Sequence, residues 1–277
     1  MSKTKGIITI AIGKKFINQA KYLAYSCMLH TPHTIRAVIT DTPDLLSGYF
    51  DFIIPYNQEY SNPFIVKTRL HIYTPFDKTL YLDADSLVIN EIDTYWEALE
   101  NSCYAYTGEL IKNGVWYFDI EKAMMQMSLS WIPKFNSGMF LFKKSEEVET
   151  IFDVAYEYLI NQKEKNLNID FFRKQMLPDE PFLAIALAKQ DIKPIDDHGR
   201  FSRSLIGAKK IHINVIKGFA FFIKNECQVF PLIVHFCGKF GNFIYFFEKI
   251  RLNFYFNPPL SGLLTNILTI ARKLLKK

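Results

Sequence analysis

The first third of the chain alternates apolar runs of strand length with a stretch of helical spacing, and this alternation restricts the possible folds more than any other feature. Residues 6–12, 34–40, 52–56 and 78–83 are predicted to be buried strands, and residues 15–29 carry apolar side chains at helical intervals. Strands that are apolar on both faces are typical of a parallel sheet covered by helices on its two sides. The sequence therefore predicts an α/β fold with a mostly parallel, Rossmann-like sheet flanked by helices.

The remainder of the chain is less regular but still mixes the two kinds of element. Further helices are predicted over 63–74, 145–161 and 180–189, and further strands over 136–143, 210–215 and 231–236. The polar, glycine-containing segment 196–207 is expected to form a mobile active-site loop. Because no internal repeat is present, we interpret residues 1–257 as one domain and residues 258–277 as a basic, amphipathic C-terminal helix.

Composition limits the classes of partner. The chain has 277 residues, of which 49% are hydrophobic and 22% charged, as in an ordinary globular protein. The net charge of +5 is modest and no long basic run occurs, so no nucleic-acid partner is predicted, whereas an anionic substrate or an acidic membrane surface is compatible. The four cysteines lack metal-ligand spacing, and no apolar stretch is long enough to span a bilayer. We therefore expect a cytoplasmic protein with free thiols.

An acidic triplet, Asp83-Ala84-Asp85, follows the apolar strand 78–82. Because ligands of open parallel sheets bind at the carboxyl ends of the strands, both carboxylates are expected to project into the binding crevice. Hard divalent cations prefer carboxylate oxygens and can bridge them to phosphate oxygens. The triplet alone is weak evidence, since about one such match is expected by chance in a chain of this length. A solvated junction between strand and turn is the competing interpretation.

Five segments, taken in order, resemble the landmarks of one enzyme family. They are 6–29 (GIITIAIGKKFINQAKYLAYSCML), 67–90 (KTRLHIYTPFDKTLYLDADSLVIN), 135–145 (FNSGMFLFKKS), 178–187 (PDEPFLAIAL) and 233–242 (IVHFCGKFGN). Together they are similar to glycosyltransferase family 8, which includes glycogenin and bacterial lipopolysaccharide galactosyltransferases and has the GT-A fold. The resemblance implies a metal-dependent hexosyltransferase that uses a nucleotide-diphosphate sugar, typically a UDP-sugar. It also implies retention of the anomeric configuration and a glycan or lipid-linked acceptor.

The same resemblance implies a role for individual residues. Asp83, Asp85 and His235 would bind the cofactor, Mn²⁺ or Mg²⁺, with Asp83 also near the ribose. The implied donor-binding residues are Ala11, Ile12, Gly13 and Phe16 at the base, Asp41 at the ribose or base, Arg69 and Ala84 beside the metal, Ser137 and Gly138 at the sugar, and Gly238 and Lys239 at the diphosphate. Asn136, Asp179 and Glu180 would act at the donor sugar as catalytic residues.

These assignments have structural alternatives. Residues 11–13 could form a tight turn between strand and helix, Arg69 could be a solvated helix residue, and a single histidine at a strand end is usually a hydrogen-bonded core or surface group. Acidic residues such as Asp179 and Glu180 are also favoured at a helix N-terminus by the helix dipole. The family pattern has glutamine where Glu180 stands, which leaves the role of Glu180 open.

The C-terminal segment 261–277 (SGLLTNILTIARKLLKK) predicts a helix with one apolar face and four basic residues in its last turns. Such a helix can lie on an anionic membrane surface. Alternatively, it can pack on the domain with its cations at the C-terminal end of the helix dipole. The aromatic and basic stretch 243–256 favours membrane contact. We therefore predict a peripheral position on the inner face of a membrane and a lipid-linked glycan acceptor, as in surface polysaccharide assembly.

Two rival functions fit parts of the sequence. A sugar-nucleotide nucleotidyltransferase has a similar sheet, but it needs a glycine-rich basic loop after the first strand, and AIGKKF contains a single glycine there. A membrane-associated scaffold could retain a transferase fold without activity, and it would bind no nucleotide sugar.

Overall fold

The computed structural model describes residues 4–56, 63–162 and 178–257. The strands in these residues are β1 (Lys5–Ala11), β2 (Ile35–Thr40), β3 (Phe52–Pro55), β4 (Lys78–Leu82), β5 (Ser86–Val88), β6 (Tyr104–Ala105), β7 (Gly108–Ile111), β8 (Ile132–Phe135), β9 (Met139–Lys143), β10 (Ser202–Ser204), β11 (Lys209–Asn214), β12 (Phe219–Lys224), β13 (Cys227–Val229) and β14 (Ile233–His235). The α-helices are α1 (Lys14–His30), α2 (Pro63–Lys67), α3 (Leu70–Tyr73), α4 (Ile120–Met127), α5 (Glu146–Ile160), α6 (Glu180–Lys189) and α7 (Gly238–Phe256), and short 3₁₀ helices cover Pro43–Leu46, Asp93–Leu99 and Val215–Lys217. The predicted C-terminal helix 258–277 lies outside the described residues.

The main sheet has the strand order β3–β2–β1–β4–β9–β6. Strands β1 to β4 run parallel to one another, whereas β9 runs antiparallel to its neighbours β4 and β6. The carboxyl ends of β1, β2 and β4 therefore meet at one edge of the sheet. The predicted mostly parallel, Rossmann-like sheet is confirmed.

Helices cover both faces of this sheet. On one face Leu23 of α1 packs with Ile7 of β1 in a buried cluster. On the other face Phe152 of α5 and Leu183 of α6 belong to the cluster that contains Ile8. Burying one such side chain completely stabilises the fold by about 1.5–3 kcal/mol. This gain explains why consecutive residues of β1 are apolar.

A smaller sheet, in the order β10–β14–β5, joins the late part of the chain to the acidic triplet. Strand β5 starts directly after Asp85 and pairs antiparallel with β14, which places His235 opposite Ser86. On its other side β14 pairs parallel with β10, which places His235 opposite Ser204. The register of this sheet thus brings the histidine to the end of β4.

The predicted helix 63–74 is interrupted, because α2 ends at Lys67 and α3 starts only at Leu70. The backbone N–H of Thr68 donates to the carbonyl of Ile65 at 3.0 Å, and the Thr68 hydroxyl donates to the same carbonyl at 2.8 Å. A hydrogen bond to the residue three positions earlier makes a tighter turn than that of an α-helix. A threonine hydroxyl that bonds to a nearby carbonyl competes with the regular backbone hydrogen bonds of a helix. The regular helical spacing between α2 and α3 is therefore lost.

The predicted strand 136–143 begins later than expected, at Met139. Residues 136–138 form a turn between β8 and β9, and the carbonyl of Gly138 accepts the backbone N–H of Asp83 at 2.9 Å. The turn therefore runs directly past the acidic triplet. Within the predicted loop 196–207, residues Ser202–Ser204 form strand β10, and the mobility of this loop stays a prediction.

The described residues contain no helix that combines the length and the hydrophobicity needed to cross a bilayer. The four cysteines are free, with Cys27 and Cys103 buried, Cys237 half-buried and Cys227 exposed.

Candidate functional site

Asp83, Asp85 and His235 converge where β4 ends. The Nε2 atom of His235 lies 3.1 Å from Oδ1 of Asp85 and 3.5 Å from Oδ2 of Asp83. One ligand atom from each of the three residues can be chosen so that all lie within 4.8 Å of one another. The histidine is buried, whereas each carboxylate is about a quarter exposed. The cluster is therefore open to a ligand from one side.

The orientation of the imidazole ring is set by Asn136. The Nδ1 atom of His235 lies 2.7 Å from the side-chain oxygen of Asn136, which can only accept a hydrogen bond. Nδ1 therefore carries a hydrogen, and Nε2 is the atom that faces the two carboxylates. A neutral Nε2 would direct its lone pair at negatively charged oxygens, so either a proton or a cation belongs between them. A neighbour that fixes the other ring nitrogen is typical of metal-binding histidines.

The protonation of His235 follows from its surroundings. Burial lowers the pKa of the imidazole, but the hydrogen bond with Asp85 and the charges of Asp85 and Asp83 outweigh burial and raise the pKa of His235 well above its usual value. A divalent cation would displace that proton from Nε2. Two carboxylates and one imidazole are a ligand set that suits Mn²⁺, and Mg²⁺ less well because it prefers oxygen. The residues present therefore fit the predicted metal.

Gly138 permits the close approach of the histidine. A Cβ atom built on Gly138 would lie 2.4 Å from Nδ1 of His235, closer than any normal contact. The backbone N–H of Gly138 also donates to the Asn136 side-chain oxygen at 3.2 Å, the same oxygen that orients the ring. A side chain at this position would displace the imidazole from the carboxylates.

We expect Gly138→Ala to weaken Mn²⁺ binding by at least about tenfold, because loss of the contacts that orient a ligand typically costs that much in metal affinity. Titration calorimetry with Mn²⁺ measures the change. Gly48→Ala is the matched control: it introduces backbone strain at a positive φ of 81°, but a Cβ there meets nothing within 4 Å. Wild-type Mn²⁺ affinity in Gly138→Ala would contradict the metal site.

Lys67 is the cation that contacts the triplet. Its side chain is 4% exposed, and its Nζ lies 2.9 Å from Oδ1 of Asp83 and 3.2 Å from Oδ2 of Asp179. The same ammonium donates to the carbonyl and hydroxyl oxygens of Ser137 at 3.4 and 3.3 Å. Burial lowers the pKa of Lys67, but the charges of Asp179 and Asp83 outweigh burial and raise it above its usual value. The lysine therefore stays charged and offsets one of the two negative charges of Asp83 and Asp179.

Arg69, which the sequence analysis placed beside the donor, has other partners. Its guanidinium forms an ion pair with Asp153 of α5 and stacks over Tyr156 at 4.8 Å. The role of Arg69 was implied by the family resemblance, and its place beside the donor stays a prediction. The sequence analysis did not single out Lys67. The available signal was a charged residue at the end of the apolar run PFIVK.

The three predicted catalytic residues form one network with the metal cluster. One oxygen of Glu180, Oε1, accepts from the Asn136 side-chain amide at 2.9 Å and from the backbone N–H of Ser137 at 3.1 Å. The other oxygen, Oε2, accepts from the hydroxyl of Tyr117 at 2.6 Å. Burial, followed by the charge of Asp179, raises the pKa of Glu180 despite these hydrogen bonds. Tyr117 was not identified from the sequence, where no motif marks it.

The residues predicted to hold the nucleoside lie at the ends of β1 and β2, on the same edge of the sheet. The backbone N–H of Gly13 donates to both carboxylate oxygens of Asp41, at 3.1 and 3.0 Å. Ala11 and Ala84 are buried in one small apolar cluster. The Phe16 side chain, in contrast, is 40% exposed.

Three further residues were predicted to bind the donor. Ile12 is partly buried against the main core. Gly238 begins α7, directly after the strand that carries His235. The side chain of Lys239 lies outside the described residues.

A cleft of about 960 Å³ opens beside this network. Glu180, Asn136 and Tyr117 line its inner end, and residues of β10, β12 and β13 line its far wall. Small-molecule sites typically have volumes of about 300–1,000 Å³. The cleft is therefore large enough for a mono- or disaccharide next to the candidate catalytic residues.

The strand order and the acidic triplet after β4 define the GT-A glycosyltransferase fold. Two solved structures of the galactosyltransferase LgtC are similar to the chain. The first, in complex with donor and acceptor sugar analogs, has a TM-score of 0.56 and 18% identity over 84% of this chain and 87% of that one. The second, an active-site mutant with glutamine replaced by glutamate, has a TM-score of 0.55 and 17% identity over 84% and 88%.

Mouse xyloside xylosyltransferase 1, in its apo form, has a TM-score of 0.46 and 13% identity over 73% of this chain and 88% of that one. No family model and no curated protein matches the chain. The resemblance to glycosyltransferases inferred from the sequence is confirmed for the fold.

Proposed function

We propose that the chain is a metal-dependent glycosyltransferase that moves a hexose from a UDP-sugar to a glycan or lipid-linked acceptor with retention of configuration. The observation that carries this proposal is the convergence of Asp83, Asp85 and His235 at the end of β4, with ligand atoms within 4.8 Å of one another. The fold supports it, since the similar structure of LgtC was solved with donor and acceptor sugar analogs.

The proposed roles follow from the contacts. A divalent cation held by Asp83, Asp85 and His235 would act as a Lewis acid on the diphosphate leaving group, a contribution of several kcal/mol. The first turn of α7, with Gly238 and Lys239, would hold the diphosphate. The nucleoside would lie along the edge formed by Ala11, Ile12, Gly13, Phe16 and Asp41. Arg69 would reach the donor only by exchanging its ion pair with Asp153, whose side chain is 60% exposed.

The donor sugar would lie between the metal and the start of α6. The amide of Asn136 and the hydroxyl of Ser137 match sugar hydroxyl groups. Asp179 would hold the sugar, and its charge is partly offset by Lys67 at 3.2 Å, which it shares with Asp83. Glu180 is fixed by hydrogen bonds from Tyr117, Asn136 and Ser137 and would face the anomeric carbon. Because the Glu180 side chain is already held in place, less entropy is lost when the reacting groups are brought together.

Hydrolysis of a panel of nucleotide sugars, with Mn²⁺ and with a chelator, tests this proposal. We expect Mn²⁺-dependent release of nucleoside diphosphate from at least one UDP-hexose. Release of pyrophosphate from a nucleoside triphosphate and a sugar phosphate would instead favour the nucleotidyltransferase. A melting temperature unchanged by every nucleotide sugar with Mn²⁺ would favour the inactive scaffold, because ligands of the native state raise it.

Peripheral membrane contact is part of the proposal, and α7 supports it. Phe243 and Phe246 are each 51% exposed on this helix, and Lys249 and Arg251 lie on neighbouring turns. Exposed aromatic side chains beside basic ones are typical of surfaces that lie at a lipid headgroup layer. The chain continues from α7 into the basic segment 258–277.

Deleting residues 258–277 is expected to reduce cosedimentation with phosphatidylglycerol vesicles by at least about tenfold, since each basic residue near an anionic leaflet contributes about 1 kcal/mol. Neutral phosphatidylcholine vesicles are the control and should bind both forms weakly. Equal binding of the two forms to anionic vesicles would show that the segment does not contact the membrane.

A further inference from the structure

The cleft beside Glu180 contains a lysine, Lys224, that forms no ion pair with a carboxylate of the described residues. We propose that this cleft binds the acceptor through an anionic group on the acceptor sugar, a phosphate or a carboxylate, and that Lys224 recognises this anion. The inference rests on the proposed transferase function and specifies the acceptor class.

Lys224 occupies the end of β12 and lines the same cleft as Glu180 and Asn136. Its Nζ donates to the carbonyl and hydroxyl oxygens of Ser204, both at 2.7 Å. Ser204 lies opposite His235 in the small sheet. A group bound at the ammonium would therefore lie beside the strand pair that carries Ser204 and His235.

The charge of Lys224 is not balanced within the described residues. An ammonium has three hydrogens, and the bonds to Ser204 use two of them on neutral oxygens. Its neighbour Arg203, in contrast, is paired with a carboxylate. The two terminal nitrogens of its guanidinium, Nη1 and Nη2, both donate to Asp197, Nη1 at 2.7 Å. Burial lowers the pKa of Lys224, as expected for a partly desolvated cation without a carboxylate partner. Lys224 is half-buried, and its third ammonium hydrogen has no acceptor among the described residues, so a ligand anion in the cleft could pair with it.

Other charged residues of the cleft do not supply that partner. Glu109 and Asp196 are exposed, where solvent and salt screen their charges. Both carboxylates also have other partners. Glu109 accepts a hydrogen bond from the Asn225 side-chain amide at 3.3 Å, and Asp196 lies 3.4 Å from the imidazole of His198. Glu180, the carboxylate beside Asn136, accepts hydrogen bonds from Tyr117, Asn136 and Ser137, and none of the described carboxylates forms an ion pair with Lys224.

The rest of the cleft suits a sugar ring. Trp116 and Tyr117 line it next to Glu180 and present aromatic faces, with ring centroids 4.9 Å apart. Aromatic surface combined with a few placed polar groups is typical of ligand sites. A sugar packed on these rings could direct a hydroxyl towards the donor end and its anionic substituent towards Lys224.

Lys224→Met, which keeps the length of the side chain and removes its charge, tests the proposal. Binding of glucose, glucose 6-phosphate and glucuronic acid is measured by calorimetry on protein saturated with Mn²⁺ and UDP. We expect the wild type to bind at least one anionic sugar about tenfold more tightly than glucose, as a charge-assisted hydrogen bond allows. Lys224→Met should bind all three sugars alike. The two anionic sugars separate a phosphate acceptor from a carboxylate acceptor.

The control variant is Lys217→Met, which removes an exposed lysine from the 3₁₀ helix that precedes β12 and should keep the preference for anionic sugars. Equal binding of neutral and anionic sugars by the wild type would overturn the proposal. So would a preference that persists in Lys224→Met.

Mn²⁺-dependent hydrolysis of a UDP-sugar, measured without acceptor, tests the transferase function separately from the role of Lys224. A raised donor KM in Lys224→Met would assign the lysine to the donor diphosphate and overturn the acceptor role. Failure of the wild type to hydrolyse any donor, with the preference for anionic sugars intact, would contradict the transferase but not anion recognition in the cleft.

Discussion

Replacing Asp85 with asparagine is expected to lower Mn²⁺-dependent hexose transfer by at least about a thousandfold. Asp85 places Oδ1 3.1 Å from Nε2 of His235 and completes the ligand set. Asparagine keeps the shape of the side chain but removes the charge that holds a divalent cation. Since about 1.4 kcal/mol corresponds to a factor of ten in rate, losing a Lewis-acid contribution of several kcal/mol has an effect of this size.

Initial rates of UDP release and the Mn²⁺ affinity from calorimetry measure this effect, and circular dichroism checks that the fold is kept. Asp93→Asn is the control, because Asp93 is exposed and its single ion pair, to Lys5, spans 4.0 Å. Transfer at the wild-type rate by Asp85→Asn would exclude the proposed role of the metal.

Replacing Lys67 with methionine is expected to lower the free energy of unfolding by about 3–5 kcal/mol, the usual effect of removing one partner from a buried ion pair. Lys67 is 4% exposed and lies between Asp83 and Asp179. Among the described residues, the other cationic group that contacts either acid is the imidazole near Asp83. Methionine fills the same space, so the loss is electrostatic. Urea denaturation followed by fluorescence measures it.

The pH dependence of this loss has a definite sign. In the wild type, burial raises the pKa of Asp83, but the charge of Lys67 outweighs burial and holds the pKa below its usual value. Removing Lys67 removes the largest influence that lowers this pKa, so the pKa of Asp83 in the folded variant is higher than in the wild type, and the variant loses stability as the carboxyl ionises. The destabilisation should therefore be larger at pH 8 than at pH 5. A difference that grows towards acid would contradict the buried ion pair.

Lys5→Met is the matched control for Lys67→Met. Lys5 and Asp93 are 51% and 64% exposed, and exposed pairs contribute at most about 1 kcal/mol. Similar small effects in both variants would show that Lys67 does not neutralise the site. Lys67→Arg adds a second test, because it keeps the charge but not the shape, and it should retain more stability than Lys67→Met.

The sequence by itself determined the main sheet and the position of the acidic pair. Apolar runs such as 6–12 and 78–83 are local patterns, and burial of both faces follows from the residues themselves. The end of the last apolar run places Asp83 at the edge of the sheet where ligands bind. The family resemblance added His235, Asn136 and the start of α6 as candidates, and the structure brings these residues together.

Only the tertiary structure decided which cation contacts the acidic pair and how the cluster is oriented. The break after Lys67 depends on a hydroxyl bond of Thr68 that helical periodicity does not reveal. The family resemblance had pointed to Arg69 and not to Lys67. The contacts of Lys67 with Asp83 and Asp179 join residues far apart in the chain.

The tertiary structure also decided the position of His235. Its approach to the carboxylates depends on the pairing of β14 with β5 and on the space left by Gly138. The spacing of apolar residues indicates which side of a helix or strand is buried, because this spacing is set by residues that are close together in the sequence. The partner of a buried charge depends on the distance between elements, which is fixed only when the strands pair and the helices pack.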